Sequence, residues 1–208
     1  MLSAQAMMLT CFLRSTASRE VMNMQTIEER LDHVRELLAD SDFLSGKGLS
    51  NEVNIRIFPY DPKDEMAVRH FTEQILSDTS LPCRIIHRDL YQLFLEICDD
   101  IGILDAIPDM EAEDGSAYLL QQIHEAIGDS EFVDKIDYPD HAQGDVVLLT
   151  GVGEVFPFMR IHALLEALQP HFTGIPIVVL YPGDYDGHHV RLFGKLPPND
   201  YYRAFSIV

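Results

Sequence analysis

Two short stretches of the chain gather the residue types from which binding and catalytic sites are built. The first, Thr150-Gly151-Val152-Gly153-Glu154, follows a continuous apolar run and leads through Phe156-Pro157 into a segment carrying Arg160 and His162. The second, Tyr181-Pro182-Gly183-Asp184-Tyr185-Asp186-Gly187, follows another apolar run and is succeeded by His188 and His189. Glycines after a strand can bring backbone amides against a phosphate, but a P-loop also needs Gly-Lys-Ser/Thr and a dinucleotide fingerprint needs a third glycine. Here Gly153 is followed by Glu154, whose carboxylate repels phosphate, and Gly46-Lys47 and Gly194-Lys195 lack the rest of the pattern. A tight strand-to-helix turn accounts for the same glycines. In the second stretch Asp184, Asp186, His188 and His189 could ligate a divalent cation. The terminal glutamate and further oxygen ligands of a calcium loop are missing, however, and adjacent histidines on a strand point to opposite faces. An Asp-Tyr-Asp-Gly turn that satisfies its own backbone is the simpler reading. His87 closes an apolar segment and reads as a surface or half-buried residue rather than a ligand. No serine or cysteine has the setting of an activated nucleophile: no Gly-x-Ser-x-Gly elbow occurs, and Cys83 and Cys98 lie among apolar residues. From the residues alone the case for an enzyme is thin, and no metal or cofactor is expected.

The elements around these stretches must position them. Thr26 and Glu29 form the S/T-x-x-E pattern of a capping box, and Ile27, Leu31, Val34 and Leu38 recur on one face, which predicts a helix from Thr26 onward. Val53 to Ile57 alternates apolar and polar residues, predicting a half-buried strand that ends at Pro59; Pro62 then opens a helix with Val68, Phe71 and Ile75 on its face. Cys83 to His87 reads as a second strand, followed by a helix bearing Leu90, Phe94, Ile97, Cys98 and Ile101. Ser116 to Ile127 predicts a further helix, and the polar segment from Ser130 to Gly144 predicts irregular structure. Val146 to Leu149 and Ile177 to Leu180 are apolar without alternation, the pattern of strands covered on both faces in a parallel sheet. A helix over about 158–171, with Phe158, Ile161, Leu165 and Leu168 in register, joins them into a βαβ unit. Val190 to Phe193 and Tyr201 to Val208 predict two short strands, a hairpin extending the sheet edge with Gly194 to Asp200 as its turn. The order of elements predicts a three-layer α/β fold, a mostly parallel sheet flanked by helices, with both glycine-rich stretches at the carboxyl edge of the sheet.

Composition narrows the function. The 208 residues include 34 acids and 15 Lys and Arg, a net charge of −19 and a pI near 4.6. Such a surface repels nucleic-acid phosphates and anionic lipid, which argues against direct DNA binding and membrane-surface binding and suits a basic partner. Lys135 is the only Lys or Arg between Asp89 and Asp140, a span holding fifteen acids, and a solvated face is the plain reading of that run. With 47% hydrophobic and 24% charged residues the chain lies near the globular average, which excludes wholesale disorder and coiled-coil architecture. Three cysteines, Cys11, Cys83 and Cys98, match neither a disulfide framework nor a zinc pattern, so reduced thiols in the cytoplasm are expected. The apolar stretch within Met1 to Leu13 lacks a basic flank and is shorter than the roughly 20 residues that cross a bilayer. With Met22 and Met24 just ahead of the first helix, residues 1–23 read as a peripheral extension from an upstream start, and residues 24–208 as a single α/β domain.

Several motifs acquire meaning together: the helix around Glu28-Glu29-Arg30-Leu31, the stretch Asp42-Phe43-Leu44-Ser45-Gly46-Lys47-Gly48-Leu49-Ser50-Asn51-Glu52-Val53, the loop Leu149-Thr150-Gly151-Val152-Gly153-Glu154-Val155-Phe156-Pro157, the stretch Tyr181 to Gly187, and Leu192-Phe193-Gly194-Lys195-Leu196 followed by Tyr201-Tyr202-Arg203-Ala204-Phe205. In combination they resemble the BrxB family, small proteins encoded within bacterial BREX (bacteriophage exclusion) defence systems, over about residues 24–208. The resemblance implies a role rather than a reaction. BREX systems pair an adenine methyltransferase that marks host DNA with a large ATPase, an alkaline-phosphatase-like protein called PglZ, and small accessory proteins. The family brings no established catalytic residues. It implies a non-enzymatic interaction or scaffold subunit that supports host DNA methylation and phage restriction, with a PglZ-like protein as the leading partner and no direct contact with nucleic acid or membrane. Gly151, Gly153, Glu154, Phe156, Arg160, Tyr185 and Asp186 are the residues expected to meet that partner, because an aromatic ring beside an arginine or an acid is the usual make-up of interface anchors. Two other readings stay open: a degenerate, nucleotide-sensing domain without turnover, and a metal-dependent nuclease built on Asp184, Asp186 and the nearby histidines.

Overall fold

The first helix among the described residues begins where its cap puts it. Thr26 Oγ1 accepts from the backbone N–H of Glu29 at 3.3 Å, Glu29 Oε2 accepts from the N–H of Thr26 at 2.9 Å, and α1 (Ile27–Ala39) buries Leu31, Val34 and Leu38. The computed structural model describes residues 25–46, 54–185, 189–196, 199–200 and 204–207. After α1 come a single turn α2 (Ser41–Leu44), β1 (Ile55–Tyr60), α3 (Glu65–Ser77), β2 (Arg84–Asp89), α4 (Leu90–Asp100), α5 (Ile107–Asp114), α6 (Ser116–Ala126) and α7 (Asp129–Ile136). The chain continues with β3 (Asp145–Thr150), a second single turn α8 (Val152–Val155), α9 (Ile161–Leu168), β4 (Ile177–Tyr185), β5 (His189–Leu192), β6 (Asn199–Asp200) and β7 (Ala204–Ser206). No helix among the described residues is long and apolar enough to cross a membrane.

Five strands lie in the order β2-β3-β4-β1-β7, all parallel. Right-handed crossovers explain the layers. The step from β1 to β2 runs across the sheet in one direction and the steps β2 to β3 to β4 return, so their helices cover opposite faces. Residues of α1, α2 and α3 pack over one face with Val146, Leu148, Val178 and Leu180; residues of α4 and α6 to α9 pack over the other with Val147, Leu149, Ile177 and Val179. Successive side chains of β3 and β4 thus enter two different cores, the reason both read as unbroken apolar runs.

The structure departs from the sequence reading at several points. β1 continues through Pro59 to Tyr60: β7 reaches only as far as Ile57 beside it, so the missing N–H of Pro59 breaks no ladder, and its carbonyl accepts from Arg30 Nη2. The segment expected to be irregular after Ser130 contains α7, which buries Phe132, Val133 and Ile136 and whose first turn is closed by Glu131 Oε2 accepting from Gly128 N–H at 2.8 Å. The helix expected from Phe158 begins at Ile161; Phe158 lies in the preceding turn with its ring stacked on Phe94 at 4.4 Å. The stretch from Tyr181 to Tyr185 is the end of β4 rather than a loop, because β5 pairs antiparallel with it from Gly183 to Tyr185. The tail strands serve two places: β7 extends the sheet edge beside β1, and β5 pairs with the end of β4 and with β6. Residues 1–23, Gly48 to Val53, Asp186 to His188 and Tyr201 to Arg203 lie outside the described residues.

Candidate functional site

The carboxyl edge of the parallel sheet is where both glycine-rich stretches arrive. β2 ends in Asp89, whose Oδ1 accepts from the N–H groups of Tyr91 and Gln92, both at 3.0 Å, and so caps α4. Gly151, at φ 74°, passes directly over that cap: a Cβ there would lie 2.6 Å from Asp89 Oδ1 and 3.1 Å from the Leu90 nitrogen. The glycine serves the close approach of the two strand ends as well as the left-handed turn. Next to it His87 Nε2 and Thr150 Oγ1 share a hydrogen bond of 2.9 Å, and burial pushes the imidazole below its ordinary pKa, which favours the neutral ring.

A second set of groups bridges the strand tips. Tyr60 O–H donates to Glu65 Oε2 at 2.7 Å, Arg69 Nε donates to Glu65 Oε1 at 2.8 Å, and Arg69 Nη2 donates to Glu154 Oε1. This relay runs from the end of β1 through α3 to α8. Desolvation and the Glu65 carboxylate raise the Tyr60 hydroxyl far above its ordinary range, so it stays a donor. Tyr60, Glu65 and Arg69 carry no motif in the sequence; the spacing of Glu65 and Arg69 by four residues on a helix was the one available signal.

Of the residues expected to meet a partner, three lie on α8 and the turn that leads from it to α9. Glu154 is exposed but engaged by Arg69, Phe156 is half-buried against the core of the α4–α9 face, and Arg160 is exposed at the N-cap of α9. Arg160 borders a cavity of about 110 Å³ lined by Phe156, Met159, Tyr181 and Leu192. Gly153 packs beneath the ring of Phe193, where a Cβ would come within 3.0 Å. Tyr185 is 7% exposed and belongs to the core, so it supports the surface from below. Asp186 lies outside the described residues. Burial pushes the Cys98 thiol up to about 11 and raises Cys83 as well, which keeps both protonated near neutral pH. Among the described residues no group of three or more His, Cys, Asp or Glu side chains converges as metal ligands would. The acid-rich span is spread over α4, α5 and α7 and the segments between them, with Glu125 the one acid of α6.

Comparison with known proteins decides what this arrangement belongs to. The family described as BREX protein BrxB matches residues 86–207. A BREX protein BrxB of Bacillus cereus (strain H3081.97) is 39% identical over 194 residues, covering 89% of this chain and 99% of that protein. The chain belongs to the BrxB family. A second BREX protein BrxB, of Escherichia coli O9:H4 (strain HS), is 27% identical over 183 residues, covering 88% of this chain and 92% of its own length. No solved structure matches. Membership makes the chain a component of a BREX system, as the sequence motifs implied. Within this BrxB fold the family match runs from β2 to the residue after β7, so the Asp89 cap, both glycine-rich stretches and the α8–α9 turn fall inside it, while Arg30, Tyr60 and Arg69 precede it.

Proposed function

We propose that this chain is a non-enzymatic interaction subunit of its BREX anti-phage system, working in the cytoplasm by binding another BREX protein, a PglZ-like protein before any other, in support of host DNA methylation and phage restriction. The α8–α9 turn carries the reading. It presents an exposed arginine and a half-buried aromatic ring at the sheet's carboxyl edge, the composition of an interface anchor. The chemistry-bearing groups beside it are already engaged with one another: Asp89 with the α4 amides, His87 with Thr150, and Glu154 with Arg69. Gly151 and Gly153 shape the turn, Glu154 and Phe156 flank the arginine, and Tyr185 holds the end of β4 beneath it. A net charge of −19 favours a basic protein surface over nucleic acid as the thing bound.

The test is co-purification of the full chain with each component of its BREX system, beginning with the PglZ-like protein, followed by light scattering of the complex. The expected result is a stable complex with the PglZ-like protein that Arg160→Glu weakens at least about tenfold, the scale of one lost interface anchor. Absence of a complex with every component, or a complex indifferent to both Arg160→Glu and Phe156→Ala, would overturn the reading.

A further inference from the structure

The segments after β1 and β4 leave the sheet on opposite sides: α3 lies over one face, while β5 and its Val190 and Leu192 pack toward the other. In open α/β sheets such a divergence opens a crevice outside the carboxyl ends of the strands, and ligands bind there. Here the crevice measures about 570 Å³ and is lined by Arg30, Tyr60, Asp61, Asp184, Arg191 and Phe193. That is within the roughly 300–1,000 Å³ range of small-molecule sites.

Three features of its lining bear on what could bind there. Arg30 is 9% exposed and makes no ion pair among the described residues. Its Nη2 donates to the Pro59 carbonyl and its guanidinium sits 5.0 Å from the centroid of the Phe58 ring, but its buried Nε has no hydrogen-bond partner. Asp64 lies near enough to favour its charge, but no carboxylate reaches it at hydrogen-bond distance among the described residues, and a buried guanidinium with an idle donor is costly to keep. The side chain of Arg191, exposed on β5, also lacks an ion pair or hydrogen bond among the described residues, although it stands opposite Asp184 in the strand register. Phe193, a bulky residue, is held at φ 56°, in the left-handed region that favours glycine, and its ring remains 36% exposed at the rim.

We propose that this crevice binds a small phosphate monoester, a nucleoside monophosphate or a sugar phosphate, with its oxyanion on Arg30 and Arg191. Guanidinium forks match phosphate oxygens, and an arriving oxyanion supplies the direct ion pair that neither side chain makes among the described residues. Asp184 offers an acceptor for sugar hydroxyls, and Asp61 is already occupied by Lys63 at 2.9 Å. Two carboxylates beside two guanidinium groups, in a chain of net charge −19, disfavour a polyphosphate or a nucleic-acid strand. The exposed ring of Phe193 gives a base a face to stack on.

Calorimetric titration of the full chain with AMP, ribose 5-phosphate and inorganic phosphate tests this site separately from the complex with other BREX proteins. Both esters are expected to bind more tightly than about 1 mM, and Arg191→Ala to weaken them about 10- to 100-fold, the worth of a hydrogen bond to a charged group. Arg191 is exposed, so its removal is expected to leave the fold intact; Arg30→Lys, which keeps the charge and loses the planar guanidinium fork, is expected to weaken binding as well. AMP binding more tightly than ribose 5-phosphate supports a nucleotide stacked on Phe193, and equal affinities support a sugar phosphate. Binding of neither ester, binding of inorganic phosphate alone, or affinities unchanged in both variants overturns the proposal.

Discussion

The two halves of the sheet's carboxyl edge are built from similar residues and behave differently. Over β2 and β3, Asp89 caps α4, His87 meets Thr150, and Arg69 joins Glu65 to Glu154. Over β1 and β4, Arg30 keeps an idle buried donor and Arg191 stands without a partner among the described residues. Residue type alone does not separate architecture from a binding surface; the completeness of the hydrogen bonding does. At this edge the paired groups stabilise the fold, whereas the guanidinium groups of Arg30 and Arg191 have no carboxylate at hydrogen-bond distance among the described residues and retain capacity for an oxyanion.

This contrast can be broken by substitution. The largest effect is expected from Gly183→Ala in the open half: a Cβ there would sit 2.2 Å from the Arg191 carbonyl oxygen, which forces the β4–β5 hairpin apart. A loss of about 3 kcal/mol, at the upper end for overpacking, should appear as a lower urea midpoint, together with lost ester binding. In the closed half Asp89→Ala removes the cap of α4 and should cost about 1–2 kcal/mol in the same measurement while leaving ester binding intact.

The opposite edge of β2 and β3 supplies a control for what full pairing does. Arg84 Nε and Nη2 donate to Asp145 at 2.8 and 2.6 Å, and Tyr138 O–H and Ala142 N–H complete the set, which holds the Asp145 carboxyl down to about 2. Because the folded value lies below the unfolded one, this contribution is fully present above about pH 4 and is lost as pH falls from there toward 2. Urea midpoints at pH 5 and pH 3 should differ for the parent chain, and Asp145→Asn should remove part of that difference. Smaller still is the exposed Arg69–Glu154 pair, for which a double-mutant cycle with Arg69→Ala and Glu154→Ala is expected to give a coupling below about 1 kcal/mol. Arg191→Ala should move the unfolding midpoint least, by under about 0.5 kcal/mol, since nothing in the fold rests on it.

Much of the scaffold is legible in the sequence, and its local signals explain why. Thr26 and Glu29 specify a helix start through two bonds made within three residues, and the runs at Val146 and Ile177 specify buried parallel strands because both faces of each strand are covered. α7 carries only a weak signal because Phe132, Val133 and Ile136 are set among four charged residues and the stripe is only one turn and a half long. The extension of β4 is masked because Pro182-Gly183-Asp184 has turn composition; the glycine is there for the close approach of β5 rather than for a bend. At the site the glycines were visible and their purpose was not, since Gly151 answers to Asp89 some sixty residues away. Arg30 did leave a trace: in the register of Ile27, Leu31 and Val34 it falls on the apolar face of α1, and a charge on that face marks a buried ion with a task.

The most direct measurement of the contrast is the rise in melting temperature that ribose 5-phosphate produces in three full-length proteins: the parent, Glu154→Gln from the closed half and Arg191→Ala from the open half. A ligand that binds only the folded state raises stability by RT ln(1 + [L]/Kd), so the shift reports binding without an activity assay. The parent and Glu154→Gln should rise equally and Arg191→Ala should scarcely rise. Equal shifts in all three, or none in the parent, would contradict the division of the edge into a closed half and a binding half.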